Sequence, residues 1–178
     1  MTVPLQNIRF CPAPSRLKLA GNITSASLSE KEVFPPRRKG RRGAAGAGLR
    51  YEAKVHEHFL KTYPLAYVAG PWFRYRNEED KVHYCQPDGL LVNFKTGLVT
   101  IVEIKLKHTA DAWWQLKKLY EPVLERVFTK DLWALSALEV VRWYDPDTPF
   151  PQAHALIKDP LSVGAGKIGV HIWSGRRR

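Results

Sequence analysis

The sequence predicts a mixed α/β fold, with a central mixed β-sheet flanked by helices. Three observations carry this. Residues 44–60 and 110–128 repeat apolar side chains at helical spacing. Between and after them lie short runs rich in Val, Ile, Thr and aromatic residues, separated by Gly, Pro and Asn-Asp turns. The resulting order is helix, several strands, helix, strands.

Taken in order, residues 1–43 read as an irregular arm. Pro4, Pro12, Pro14, Pro35 and Pro36 punctuate it, its apolar residues keep no period, and residues 24–29 are mostly small and polar. The first helix, Ala44 to Leu60, places Leu49, Ala53, His56 and Leu60 on one face, widened by Val55 and Phe59. Strands are expected at Ala66–Val68, Trp72–Tyr75, Val82–Cys85, Gly89–Phe94 and Leu98–Leu106. Lys95-Thr96-Gly97 should turn the last two into a hairpin. The second helix, Ala110 to Phe128, is capped by Thr109 and has Pro122 as a potential kink. Strands at Trp133–Tyr144 and Lys167–Trp173 complete the chain. The division is an arm over 1–43 and a domain over 44–178, with a core at 44–144 and a C-terminal extension at 145–178.

The 178 residues carry a formal charge of +11 and a pI near 9.8. Residues 1–50 hold ten Lys/Arg against two acids, residues 51–164 fourteen against fifteen, and residues 165–178 four against none. A nearly neutral domain thus sits between two basic ends, which points to a polyanionic partner. Arg37, Arg38, Lys39, Arg41 and Arg42 suit non-specific phosphate contact, and deleting residues 1–43 should flatten the salt dependence of binding. Two cysteines and no CxxC pair exclude a disulfide framework or a zinc site and favour a reducing, intracellular setting. No apolar run reaches membrane-spanning length, and no secretory signal is expected.

The chemistry lies in Pro87-Asp88, followed after fourteen residues by Glu103-Ile104-Lys105. Strand alternation sends Val102, Ile104 and Leu106 to one face and Glu103, Lys105 and Lys107 to the other. Hairpin pairing would bring Asp88 level with Glu103. Two carboxylates and an ammonium at one strand end suit phosphodiester hydrolysis. Hard oxygen ligands hold Mg²⁺ or Mn²⁺, which acidifies water, and an ammonium meets the developing charge. The Ile104 carbonyl is a further oxygen donor.

This pattern resembles the signature of the PD-(D/E)xK nuclease superfamily. The resemblance implies a restriction-endonuclease-like core: a helix, a three-stranded antiparallel unit, a second helix and a further strand, here over residues 44–144. It implies Asp88, Glu103 and Lys105 as catalytic residues, Glu52 as the acid of the first helix (with Glu57 competing) and Gln115 on the second helix. Metal would rest on Glu52, Asp88, Glu103 and Ile104. RecB-like members place a Tyr four residues after that Gln. Position 119 is Leu and Tyr120 comes one later, off the Gln face of a regular α-helix.

The function expected is a Mg²⁺- or Mn²⁺-dependent deoxyribonuclease, exonuclease or structure-selective endonuclease, in recombination, repair or phage DNA metabolism. DNA is preferred over RNA as partner, Lys107 and His108 join the phosphate contacts, the location is cytoplasmic at the nucleoid, and a homo-oligomer is left open. A non-catalytic nucleic-acid-binding protein is the alternative. A structural protein of a nucleoprotein particle is the third. Bland readings remain beside these. Asp88-Gly89 is ordinary turn composition, Glu103, Lys105 and Lys107 could be an exposed strand face, and His108 could be a surface histidine.

Overall fold

The computed structural model describes residues 11–15, 19–29 and 43–175. Its largest sheet has six strands in the order β2-β5-β6-β7-β9-β8: Tyr67–Ala69, Gly89–Asn93, Leu98–Lys107, Ala134–Trp143, Ile168–Ile172 and Ala155–Leu156. β2, β5 and β6 pair antiparallel, whereas β6, β7, β9 and β8 run parallel. The sheet is therefore mixed, as the sequence predicted. A second, antiparallel sheet has the order β1-β3-β4, from Ile23–Ser29, Trp72–Asn77 and Val82–Cys85.

Parallel β6 and β7 cannot be joined by a tight turn, so the chain crosses between them through a helical segment. That segment packs on one face of the six-stranded sheet. Val99, Ile101, Leu116, Tyr120, Val123, Leu124, Ala137 and Phe150 form a core there, which also takes Phe73, Tyr75 and Cys85 of the smaller sheet. Helix α1 (Gly43–Thr62) covers the other face through Tyr51, Val55 and Phe59 against Leu91, Val102, Ile104, Leu138 and Val140. Strand alternation thus splits β6 as expected, but both of its faces are buried. The α1 face differs from the predicted one: Ala53 and Leu60 are exposed, and the stripe rotates to Tyr51-Val55-Phe59, which packs on Leu91, Val102, Ile104, Leu138 and Val140.

Residues 23–29 are a strand, where the sequence predicted irregular chain. β1 pairs with β3 from Ile23↔Asn77 to Ser29↔Trp72, with an irregularity between Ile23 and Ser25. It lies at a sheet edge with only Ile23 fully buried, so it needs little apolar content, and Ser and Thr side chains remain in water. The Lys95–Gly97 turn joins β5 to β6 in the predicted hairpin, with Gly97 at φ +62°.

The second predicted helix is one helical run with an insert. α2 (Ala110–Trp114) begins at Thr109, whose hydroxyl accepts from the Asp111 N–H. A π-helical turn follows at Gln115–Tyr120, then α3 at Glu121–Val127. Pro122 accounts for the break. In a regular helix its N–H would donate to the Lys118 carbonyl, and proline has none. The Glu121 N–H instead reaches Leu116, five residues back, and the Lys118 carbonyl accepts from the Ala20 N–H at 3.2 Å. The expected kink is therefore a π-bulge that ties down the chain entering β1.

Both cysteines are buried, and burial pushes the Cys85 thiol up to about 12. Among the described residues, no helix is long and apolar enough to cross a membrane.

Candidate active site

On the face of β6 toward α2 and α3, apolar Val99 and Ile101 give way to Glu103 and Lys105. The same change occurs on β7, where Ala137 is followed by Glu139, and Glu103 and Glu139 stand level in the parallel register. Asp88 lies just before β5, in the link from the small sheet. Because Gly89 pairs with Val102, Asp88 comes level with Glu103. One carboxylate oxygen of Asp88, Oδ2, accepts from the Ile104 N–H at 2.7 Å, which fixes the side chain on β6. Gly89 is required beside it, since a Cβ there would lie 2.5 Å from the Tyr67 ring.

Lys105 Nζ sits 2.6 Å from Glu103 Oε1, while Glu103 Oε2 is buried with no hydrogen-bond partner. Glu103 is only 2% exposed. An ionised carboxylate there carries a desolvation penalty that one lysine offsets in part. Burial pushes the Asp88 carboxyl well above the usual range, helped by the charges of Glu103 and Glu52 and opposed by the Ile104 N–H and Lys105. Burial likewise raises Glu103, with Lys105 opposing and Glu52 and Glu139 adding to the rise. For Lys105, burial acts downward, but Glu103, Asp88 and Glu139 outweigh it and hold the ammonium charged. The site is a compact group of like charges around one cation, the kind of perturbation common at functional sites.

Glu52 joins them from α1. It is half-buried and, with Gly48, Leu49, Ile104, Lys105 and Leu106, lines an open cleft of about 240 Å³. Glu57, the competing acid, is exposed and paired with Lys61 instead. Gln115 comes from the π-turn and donates to the Tyr120 hydroxyl at 3.4 Å. In a regular α-helix these two residues would diverge. Five residues per hydrogen-bonded step bring them to one side, which corrects the sequence expectation. Tyr120 is buried, and burial followed by the Glu103 and Asp88 charges pushes its hydroxyl up.

The sequence placed His108 among the phosphate contacts, whereas the structure buries it at 2% exposure. Its Nδ1–H donates to Glu139 Oε2 at 2.5 Å, its ring stacks on Phe150 and lies against Tyr144 and His154, and its Nε2 has no partner. Glu139 is fully buried and also accepts from the Thr109 N–H. Nothing near residue 139 in the chain marks this acid, because its partners come from β6 and the turn after it. Lys107 is exposed at the end of β6. Trp114 is half-buried and donates to the Cys11 carbonyl. Arg37, Arg38, Lys39, Arg41 and Arg42 lie outside the described residues.

The donor set consists of carboxylates, and the unpartnered Glu103 Oε2 is a ready acceptor, so the chemistry fits a hard divalent cation. Among the described residues, no three His, Cys, Asp or Glu side chains stand in metal-binding geometry. No family model, curated protein or solved structure matches the chain.

Proposed function

We propose that the protein is a metal-dependent deoxyribonuclease with a restriction-endonuclease-like core and its active site at Asp88, Glu103 and Lys105. The observation that carries this is Asp88 held level with Glu103 at 2.7 Å from the Ile104 amide, beside a lysine 2.6 Å from Glu103. The element order supports it too: α1, then antiparallel β2-β5-β6, then the α2–α3 run, then β7 parallel to β6.

Asp88 and Glu103 would hold Mg²⁺ or Mn²⁺, with Glu52 and the Ile104 carbonyl as further donors. The ion supplies a more acidic water and charge neutralisation at the phosphate. The chain's own residues do the rest. Burial makes mutual repulsion of the acids costly, so the site favours a cation between them. Lys105, released from Glu103, is placed to orient the attacking water and to meet charge on the phosphoryl oxygens. Gln115 and Tyr120 offer polar donors on the α2–α3 side. DNA is the substrate because the basic ends suit a duplex backbone, and recombination, repair or phage DNA metabolism at the nucleoid is the setting.

The test is incubation with linear, circular, single-stranded and branched DNA in Mg²⁺, Mn²⁺ or EDTA. Cleavage is expected only with metal, and Lys105→Ala should lower the rate by on the order of 10²–10³-fold. One observation favours a second reading. The Lys105–Glu103 pair is self-satisfying and no three-ligand group is preformed, as in a protein that binds nucleic acid without cutting it. Tight, metal-independent binding with no cleavage of any substrate would establish that reading instead.

A further inference from the structure

Helix α1 presents two stripes at helical spacing. Residues 45, 48, 49 and 52 line the cleft at Glu52, and residues 47, 50, 51 and 54 line a second cavity of about 250 Å³. The second cavity differs in charge. Arg50 and Lys54 enter it from α1 and Arg142 from the end of β7, with Ser174 and Gly175 closing the rim. No carboxylate among the described residues is paired with any of these three cations. Arg50 and Lys54 are i,i+4 neighbours, a like-charge pair that weakens a helix unless something negative lies between its members.

The wall of this cavity is fixed. The buried Tyr51 hydroxyl donates to the Trp173 carbonyl at 2.9 Å, and the Trp173 ring stacks on His58 at 4.9 Å. Gly175 adopts φ +74°, so a side chain there would strain the rim. Beside the cavity, the Arg142 guanidinium lies 4.8 Å from the Trp143 ring, and Trp143 is 52% exposed. An exposed indole carrying an arginine is a surface on which a nucleobase stacks.

We infer that the cavity between Arg50, Lys54 and Arg142 binds a phosphate of a nucleic-acid strand, with Trp143 stacking a neighbouring base. The inference rests on the nucleic-acid part of the proposed function and adds a contact site one helix face away from Glu52. It assigns the strand a path across α1, from the acidic cleft to the basic one.

The test is fluorescence anisotropy of a short fluorescein-labelled single-stranded DNA with the full chain, in EDTA, from 50 to 200 mM KCl. Arg50→Ala and Arg142→Ala should each weaken binding about three- to tenfold and flatten the log–log salt slope by roughly 0.7 per lost phosphate. Trp143→Ala should weaken binding about fivefold or more with the slope unchanged. Lys95→Ala, in the distant β5–β6 turn, is the control and should match the wild type. Inorganic phosphate and a nucleoside monophosphate are competitor arms. Displacement of the strand only at concentrations far above that of the strand supports a strand site, and tight binding of phosphate alone overturns it. Wild-type affinity and slope in both arginine variants, with circular dichroism unchanged, would overturn the pocket. A parallel cleavage assay with Lys105→Ala separates the two ideas. Pocket variants that lose binding in a protein that cuts nothing remove the nuclease and keep the pocket. Unaffected pocket variants in a protein whose cleavage needs Lys105 remove the pocket and keep the nuclease.

Discussion

At the scale of single residues, the site is an electrostatic conflict. Asp88 and Glu103 are held where burial favours the protonated form, helped at Asp88 by the charges of Glu103 and Glu52 and at Glu103 by those of Glu52 and Glu139. A carboxyl raised in the folded protein keeps its proton where the unfolded chain has lost it. Its contribution to stability is therefore full below about pH 4 and is lost as pH rises through the folded value. Asp88→Asn, which still accepts from the Ile104 amide, should raise neutral-pH stability by about 1 kcal/mol, read by thermal denaturation. It should also abolish any rise in melting temperature caused by Mn²⁺ in the wild type. Lys105 has the opposite role. Lys105→Ala leaves Glu103 buried and unpaired and should cost about 3 kcal/mol or more, whereas Lys105→Ala with Glu103→Gln should recover most of that loss. Additive losses in a double-mutant cycle would contradict the pairing. Asp88, Glu103 and Lys105 were legible in the chain because one hairpin brings them together and local alternation orients them. Glu139 was not, since its meaning depends on a parallel strand and a buried imidazole. His108 was misread for the same reason: flanked by Lys107 and Thr109 it looks like surface, and only the return of Tyr144, Phe150 and His154 encloses it.

At the scale of elements, the helix after β6 shows how one residue shifts a register. Pro122 removes a donor, the π-turn absorbs the mismatch, Ala20 takes the vacant carbonyl, and Tyr120 rotates onto the Gln115 side. Pro122→Ala restores the N–H and allows the regular helix to compete. The Ala20 amide should then exchange with deuterium faster, and DNA cleavage should fall although helix propensity has improved. Unchanged exchange and rate would detach the π-turn from the site. Helix limits, the β5–β6 hairpin and the strongest strand were readable, because periodicity and turn chemistry are local. β1 was not, because an edge strand built largely from Thr and Ser has no apolar alternation to read. The buried stripe of α1 was misplaced by a partial turn, since the sheet's packing, not the helix's own composition, chooses which residues face in.

At the scale of the whole molecule, charge and titration set the conditions under which the protein works. Burial lowers the imidazoles of His58, His154 and His171, with His154 brought to about 4. A histidine lowered on folding stays neutral where the unfolded chain gains a proton, so stability falls as pH drops from about 6.5 toward 4. The raised carboxyls of Asp88 and Glu103 act in the opposite sense, so the histidine part is read by difference: between pH 7 and pH 5, His154→Phe should hold its melting temperature better than the wild type does. The basic ends define the predicted partner, but removing residues 1–43 is not a clean way to test them. That deletion takes away β1 and the Ala20 contact together with the charge. Replacing Arg37, Arg38, Lys39, Arg41 and Arg42 with glutamine keeps the fold's edge strand. It should lower DNA affinity and reduce the salt slope, read by anisotropy from 50 to 200 mM KCl. An unchanged slope would remove the arm from the interface. The most direct measurement of the central claim is the single-turnover rate of DNA cleavage in Mn²⁺, wild type beside Glu103→Gln, which keeps the shape of the buried side chain and removes its charge. Metal-dependent cleavage is expected in the wild type, and its loss in a variant that circular dichroism shows to be folded. Cleavage at the wild-type rate by Glu103→Gln, or none by either protein, would contradict it.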